Sequence, residues 1–97
     1  MVIGDVQEEA GRLAASELSN LGVRSVFIHA DVGLVADCRG LIQGAVRQLG
    51  RLDILVNSAG LAERNAVEPG APHEEMWDRV IDVNLKGTYL SAWHAVP

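Results

Sequence analysis

Asp53-Ile54-Leu55-Val56-Asn57-Ser58-Ala59-Gly60 is the stretch that decides the fold of this 97-residue chain. Three apolar residues, two of them β-branched, lead into four small or turn-forming ones. The pattern predicts a short buried parallel strand, Ile54 to Val56, whose carboxyl end opens into a loop with almost no side-chain bulk. In open α/β sheets ligands sit outside the carboxyl ends of the strands. Small residues at that place let a ligand reach the backbone.

Outward from this run, strands and helices alternate. Met1-Val2-Ile3 reads as a strand tail, with Gly4-Asp5 as its carboxyl-end turn. From Gln7 to Leu21, Ala10, Leu13, Ala14, Leu18 and Leu21 keep helical spacing, and Gly22 is a good stop. Val26 to Ala30 is the next strand, ending at Asp31-Val32. A second helix shows Val35, Cys38, Leu41, Ile42, Ala45, Val46 and Leu49 on one face, with Gly50 as terminator. Residues 61–72 carry Pro69, Gly70 and Pro72 and read as a loop. Pro72, Glu74 and Glu75 then suit a helix start, since carboxylates favour the positive end of the dipole. That helix runs through Trp77, Val80, Ile81, Asn84, Leu85, Thr88, Tyr89 and Ala92. The alternation implies right-handed β-α-β crossovers and a mainly parallel, doubly wound α/β sheet.

Composition narrows the function classes. Hydrophobic residues make up 48% of the chain but aromatic ones only 4%, so the core must be aliphatic. The net charge is −5 and the eight basic residues are scattered, which argues against a nucleic-acid partner. No apolar stretch is long enough to span a bilayer, and Met1 is not followed by a signal-peptide pattern. The single cysteine, Cys38, has no internal partner for a disulfide, which fits a reducing, cytoplasmic setting.

The run at 53–60, followed by Val83-Asn84-Leu85-Lys86-Gly87-Thr88, resembles the classical short-chain dehydrogenase/reductase family. That family has an Asn-Asn-Ala-Gly turn and a later helical Asn in the same order; Ser58 departs from the usual second Asn. The resemblance covers nearly the whole chain. The family's glycine-rich phosphate loop and Tyr-x-x-x-Lys pair are not among residues 1–97. It therefore implies the middle of an oxidoreductase: a single partial Rossmann domain over residues 1–97, holding strands 2, 3 and 4 of an α/β/α sandwich. In the strand order 3-2-1-4-5-6 the first strand lies between the second and fourth. The expectation is a gap at the sheet centre, flanked by unpaired backbone, and marginal stability for these residues alone.

The resemblance also assigns roles. Asp5 would accept hydrogen bonds from the adenosine ribose and repel a 2′-phosphate, favouring NAD over NADP; its other reading is a cap for the helix near Gln7. Asp31 and Val32 would meet the adenine ring, with an N-cap as the alternative for Asp31. Asn57 would tie neighbouring strands and lie under the ribose, with Ala59 and Gly60 keeping the loop low beside the cofactor. Asn84 interrupts an apolar helical face and would need partners if buried. By resemblance it distorts its helix, and its carbonyl holds a water that completes a proton relay to the catalytic Lys.

Other residues carry less. Tyr89 has Trp93, not Lys, four residues on, so it lacks the neighbour that would acidify its hydroxyl. Lys86 reads as solvated, and Cys38 as a small buried hydrophobe. His29, His73 and His94 have no metal-ligand spacing, and no metal is expected.

Two functions follow. One is hydride transfer between NAD(H) and a small-molecule alcohol or carbonyl, performed by a protein that also holds the missing motifs, residues 1–97 alone being inactive. The other is a non-catalytic interaction module docking on a related subunit. Family members commonly pair the helix spanning 73–96 across a homo-oligomer interface. A flavodoxin-like binding domain fits the alternation but leaves 57–60 and Asn84 unexplained.

Overall fold

A computed structural model describes all residues 1–97. Strand β1 (Val2–Asp5) is followed by helix α1 (Glu8–Asn20), strand β2 (Val26–His29) and helix α2 (Val35–Leu49). After a long extended segment come α3 (Glu63–Ala66), α4 (His73–Ile81), a π-helical turn (Asp82–Lys86) and α5 (Gly87–Ala95). The two strands pair in parallel, Val2 opposite Val26 through Asp5 opposite His29. Parallel neighbours joined through a helix are the β-α-β unit expected from the alternation. Gly4 and Asp5, expected as the carboxyl-end turn, fall inside the ladder instead, so the strand runs two residues past Ile3.

Both long helices start and stop where their sequences predict. At the end of α1 the Val23 N–H bonds to Leu18 O and the Gly22 N–H to Ser19 O, while Gly22 takes φ +87°. This is the Schellman arrangement, and its left-handed residue is cheapest as glycine. Neither helix has a side-chain N-cap: the caps are Gln7 and Leu34. Asp5 and Asp31 instead make Asx turns, accepting from Gln7 N at 2.9 Å and Gly33 N at 2.8 Å.

The strand expected at 54–56 does not form. The sheet has two strands only, and Ile54 and Val56 are 79% and 77% exposed. An extended segment becomes a strand only when a neighbour satisfies its backbone, and β1 already has β2 on its other side. Residues 52–59 instead run along a cavity of about 460 Å³ whose far wall is Val2 and Gly4 of β1 and whose floor includes Leu41 and Ala45 of α2. The expected order 3-2-1-4 would place a first strand between β1 and this run. The shape agrees: the Cα radius of gyration is 14.4 Å and the thinnest extent 16 Å, against roughly 12.5 Å radius for a compact domain of this length. Only ten residues are buried.

The C-terminal helix also differs from expectation. The loop 61–72 contains the one-turn α3. In the last helix the buried residues are Val83, Gly87 and Ser91, at four-residue spacing, while Trp77, Leu85, Tyr89 and Trp93 face outward. Small residues let the helix lie directly on the β2–α2 connection. A Cβ on Gly87 would stand 2.7 Å from Val32 O and 2.9 Å from Val32 Cγ2. Beside it, Cys38 is fully buried; its thiol donates to Val32 O at 3.2 Å and accepts from Ser91 Oγ at 3.7 Å.

The substitution Gly87→Ala drives a methyl into backbone that cannot rotate away. Urea denaturation is expected to show a loss of about 1–3 kcal/mol, the usual cost of overpacking; an unchanged midpoint would mean that α5 slides freely over Val32.

Candidate functional site

The predicted site residues fall at the ends of β1 and β2, along the 52–60 run and on the last helix, and three of them, Val32, Asn57 and Ala59, line one cavity. Asp5 and the β2 end are held side by side by the ladder, and the Ala30 N–H bonds to Asp5 O at 3.1 Å. The Asp5 carboxylate is exposed, and one oxygen is used by Gln7 N. Val32, Asn57 and Ala59 line the same cavity, together with Val83, Thr88 and Ser91 from the last helix. Asn57 is exposed, and the strand tie expected of its amide is not made, since the segment has no strand beside it. A Cβ on Gly60 would meet only Asn84 Oδ1, at an ordinary 3.5 Å. Nothing in the chain itself requires glycine there.

Asn84 is exposed rather than buried, yet both ends of its amide are engaged. Its Oδ1 accepts from Leu61 N at 2.8 Å and its Nδ2 donates to Leu61 O at 2.9 Å. This two-point pairing imitates a strand ladder and pins the loop after Gly60 to the helix. The helix is wound as a π turn around Asn84, with the Gly87 N–H bonding Asp82 O five residues back. Such turns displace backbone carbonyls from their normal donors and concentrate at functional sites. The Asn84 carbonyl accepts a long contact from Thr88 Oγ1 at 3.4 Å. Lys86 pairs with Asp82 at 2.9 Å on the solvent side of the same turn.

Sequence reasoning missed the partner of Asp31. Arg79 of α4, 48 residues away, grips its carboxylate as a fork: NH2 to Oδ2 at 2.9 Å and NH1 to Oδ1 at 3.2 Å. The Asp31 N–H donates to Asp37 Oδ2 at 2.9 Å, from the first turn of α2. Partial burial pushes the Asp31 carboxyl up, but the Arg79 hydrogen bond, the Gly33 N–H and the charges of Arg79 and His29 outweigh it. The net result lies below the ordinary 3.8. No local signature marks such a pair; an arginine on the half-buried side of α4 is the only hint the sequence offers.

These geometries have likenesses. The chain matches the family model described as short chain dehydrogenase over residues 1–97. It is 36% identical to "Tropinone reductase-like 1" of Erythroxylum coca over 97 residues, covering 98% of this chain and 35% of that protein. It is 39% identical over 90 residues to a (2S)-[(R)-hydroxy(phenyl)methyl]succinyl-CoA dehydrogenase subunit of Thauera aromatica, covering 93% of this chain and 36% of that one. The fold superposes with TM-score 0.83 on an actinorhodin polyketide ketoreductase solved with NADPH, at 26% identity, covering 98% of this chain and 36% of that chain. The chain thus spans about a third of the length of the curated relatives it matches.

Two outcomes test this site. Removing the Asn84 amide with Asn84→Ala frees Leu61, and the lost hydrogen bond of about 1 kcal/mol should speed amide exchange at Leu61 roughly fivefold. Exchange at Leu61 no faster than in the wild type would show that the loop is held by something else. The lowered Asp31 carboxyl makes its stabilising contribution complete above its ordinary value and lost as pH falls through its lower folded value. Circular dichroism below pH 4 should therefore show acid unfolding at higher pH in Arg79→Met than in the wild type.

Proposed function

The chain belongs to the short-chain dehydrogenase family, and from that premise we propose that it forms the adenosine-binding part of an NAD-dependent oxidoreductase acting on a small alcohol or carbonyl compound. The observation that carries this reading is the pinning of Leu61 by Asn84 within a π turn. It puts a helical Asn, within an irregular turn, against the loop that follows Gly60.

The residues present fit such a dinucleotide. Asp5 offers an exposed carboxylate at a strand end, suited to two ribose hydroxyls and unfavourable to a 2′-phosphate. Asp31 and Val32 stand on the adjacent strand end for the adenine. A Cβ on Gly60 would meet only Asn84 Oδ1 at 3.5 Å, which leaves room for backbone contact with a ligand, and Asn57 and Ala59 precede it along the cavity. When bound, the nicotinamide ring accepts or donates the hydride. Asn84 holds its carbonyl out for a water in the proton path, while a Tyr-x-x-x-Lys pair outside residues 1–97 would protonate or deprotonate the substrate oxygen. Residues 1–97 form one partial Rossmann domain with no turnover of their own.

The outward stripe of Leu85, Tyr89 and Trp93, the last two stacked with ring centroids 6.2 Å apart, supports pairing with a second copy through the 73–96 helix. The same stripe is what favours the non-catalytic reading, in which the chain docks on a related subunit. A cytoplasmic location suits the free thiol of Cys38, and no helix is long and apolar enough to cross a membrane.

Calorimetric titration of the full protein with NAD and NADP decides the cofactor. NAD should bind more tightly, and Asp5→Ala should weaken NAD by about tenfold, the loss of a charge-assisted hydrogen bond, while narrowing the gap to NADP. Equal binding of both cofactors with no response to Asp5→Ala would remove NAD selectivity from this residue; no binding of either would favour the docking module.

A further inference from the structure

The connection after β2 is held from three helices at once. Asp37 of α2 accepts from Asp31 N, Cys38 donates to Val32 O, Gly87 of α5 abuts Val32, and Arg79 of α4 forks onto the Asp31 carboxylate. The acceptor count on that carboxylate is informative. Oδ1 accepts from both Gly33 N and Arg79 NH1, so its two lone pairs are used. Oδ2 accepts only from Arg79 NH2 and keeps one site open. The Val32 N–H takes no backbone partner within the chain. An open acceptor and an open donor on consecutive residues suit an adenine edge, which presents an amino donor next to a ring-nitrogen acceptor.

We propose that Arg79 is a positioning residue for adenine: its fork, together with the Gly33 N–H, takes three of the carboxylate's four acceptor sites and leaves one on Asp31 Oδ2, one residue from the unpaired Val32 N–H. The inference rests on the reading of Asp31 and Val32 as the adenine contact and assigns them a controller on α4. A fork of this kind fixes both rotation and plane of a carboxylate, which a single point charge does not. Gly33 belongs to the same device. A Cβ there would lie 2.6 Å from Arg79 NH1 and 3.0 Å from Asp31 Oδ1, so any larger residue would push the guanidinium off the carboxylate.

Charge makes the role separable from simple packing. The charged and titratable groups around Asp31 are Arg79 from α4, His29 from β2 and Asp37 from α2. With Arg79 gone, the hydrogen bond that lowers the Asp31 carboxyl most is lost together with the guanidinium charge, so it rises. Once protonated, it donates where an amino group needs an acceptor. Adenine affinity in the variant should then fall on acidification through the ordinary carboxylate range, where the wild type still binds.

The test uses the full protein with AMP as probe for the adenosine half and nicotinamide mononucleotide as control. Carboxyl-carbon NMR titration of Asp31 gives a readout that needs no turnover. For Arg79→Leu we expect AMP binding about tenfold weaker, nicotinamide mononucleotide binding unchanged, KM for NAD raised with kcat kept, and the Asp31 midpoint moved up. Arg79→Lys should restore the midpoint more than the affinity, since it returns the charge without the fork. Wild-type AMP affinity and an unmoved Asp31 midpoint in Arg79→Leu would overturn the role of Arg79 while leaving NAD binding standing. Failure of the wild type to bind either AMP or NAD would overturn the functional reading, and this inference with it. Should Arg79→Leu not fold, Arg79→Gln decides in its place: it keeps a donor without charge, and an unaltered midpoint with unaltered AMP affinity rejects the proposal.

Discussion

The close approach of α5 to the β2–α2 connection is the constraint on which the rest of the arrangement depends. With two short strands, the chain cannot rely on a sheet to organise its helices. Order comes instead from a seam of small groups, Gly87, Ser91, Cys38 and the backbone of Val32, packed nearly without gaps. Dispersion and exclusion of water act over such a contact only if no side chain props it open. The large apolar residues of the last helix are accordingly displaced to the outside, where Tyr89 and Trp93 stack on each other. A helix whose buried line is Val83, Gly87 and Ser91 carries its identity in what is absent from those positions.

This explains which parts of the fold were legible in the sequence. α1 and α2 were, because each has an apolar face at helical spacing and a glycine that ends it in the left-handed region. Those signals are local. The 54–56 strand reads correctly as extended and apolar but is not a strand here, because pairing is a property of a neighbour and not of the segment. The buried line of the last helix was misread for a related reason: hydrophobic size marks burial only where space is available. α3 was hidden among breakers, being a single turn with no face to repeat.

The site divides along the same line. Positions 57–60 and 84 could be picked out because residue type and order carry them, and Asn84 does meet the loop that follows Gly60. The reason it does so was not legible. Burial was expected to force partners on its amide, whereas the amide is exposed and substitutes for the strand edge that Leu61 lacks. Asp31 was placed correctly at its strand end, but Arg79 stands 48 residues away and on a different element.

Arg79 and Asn84 lie five residues apart on one continuous helical run, the first holding the β2 end and the second the end of the 52–60 run by hydrogen bonds. One fixes the β2 end through a charge, the other fixes the end of the 52–60 run through a paired backbone contact. The π turn lies between the Arg79 end of the run and α5, and an inserted residue rotates the following helix relative to the preceding one. The same run meets Asp31 through Arg79, Leu61 through Asn84 and Val32 through Gly87. A single helical run thus holds the β2 end and the 52–60 run together where no central strand within residues 1–97 joins them.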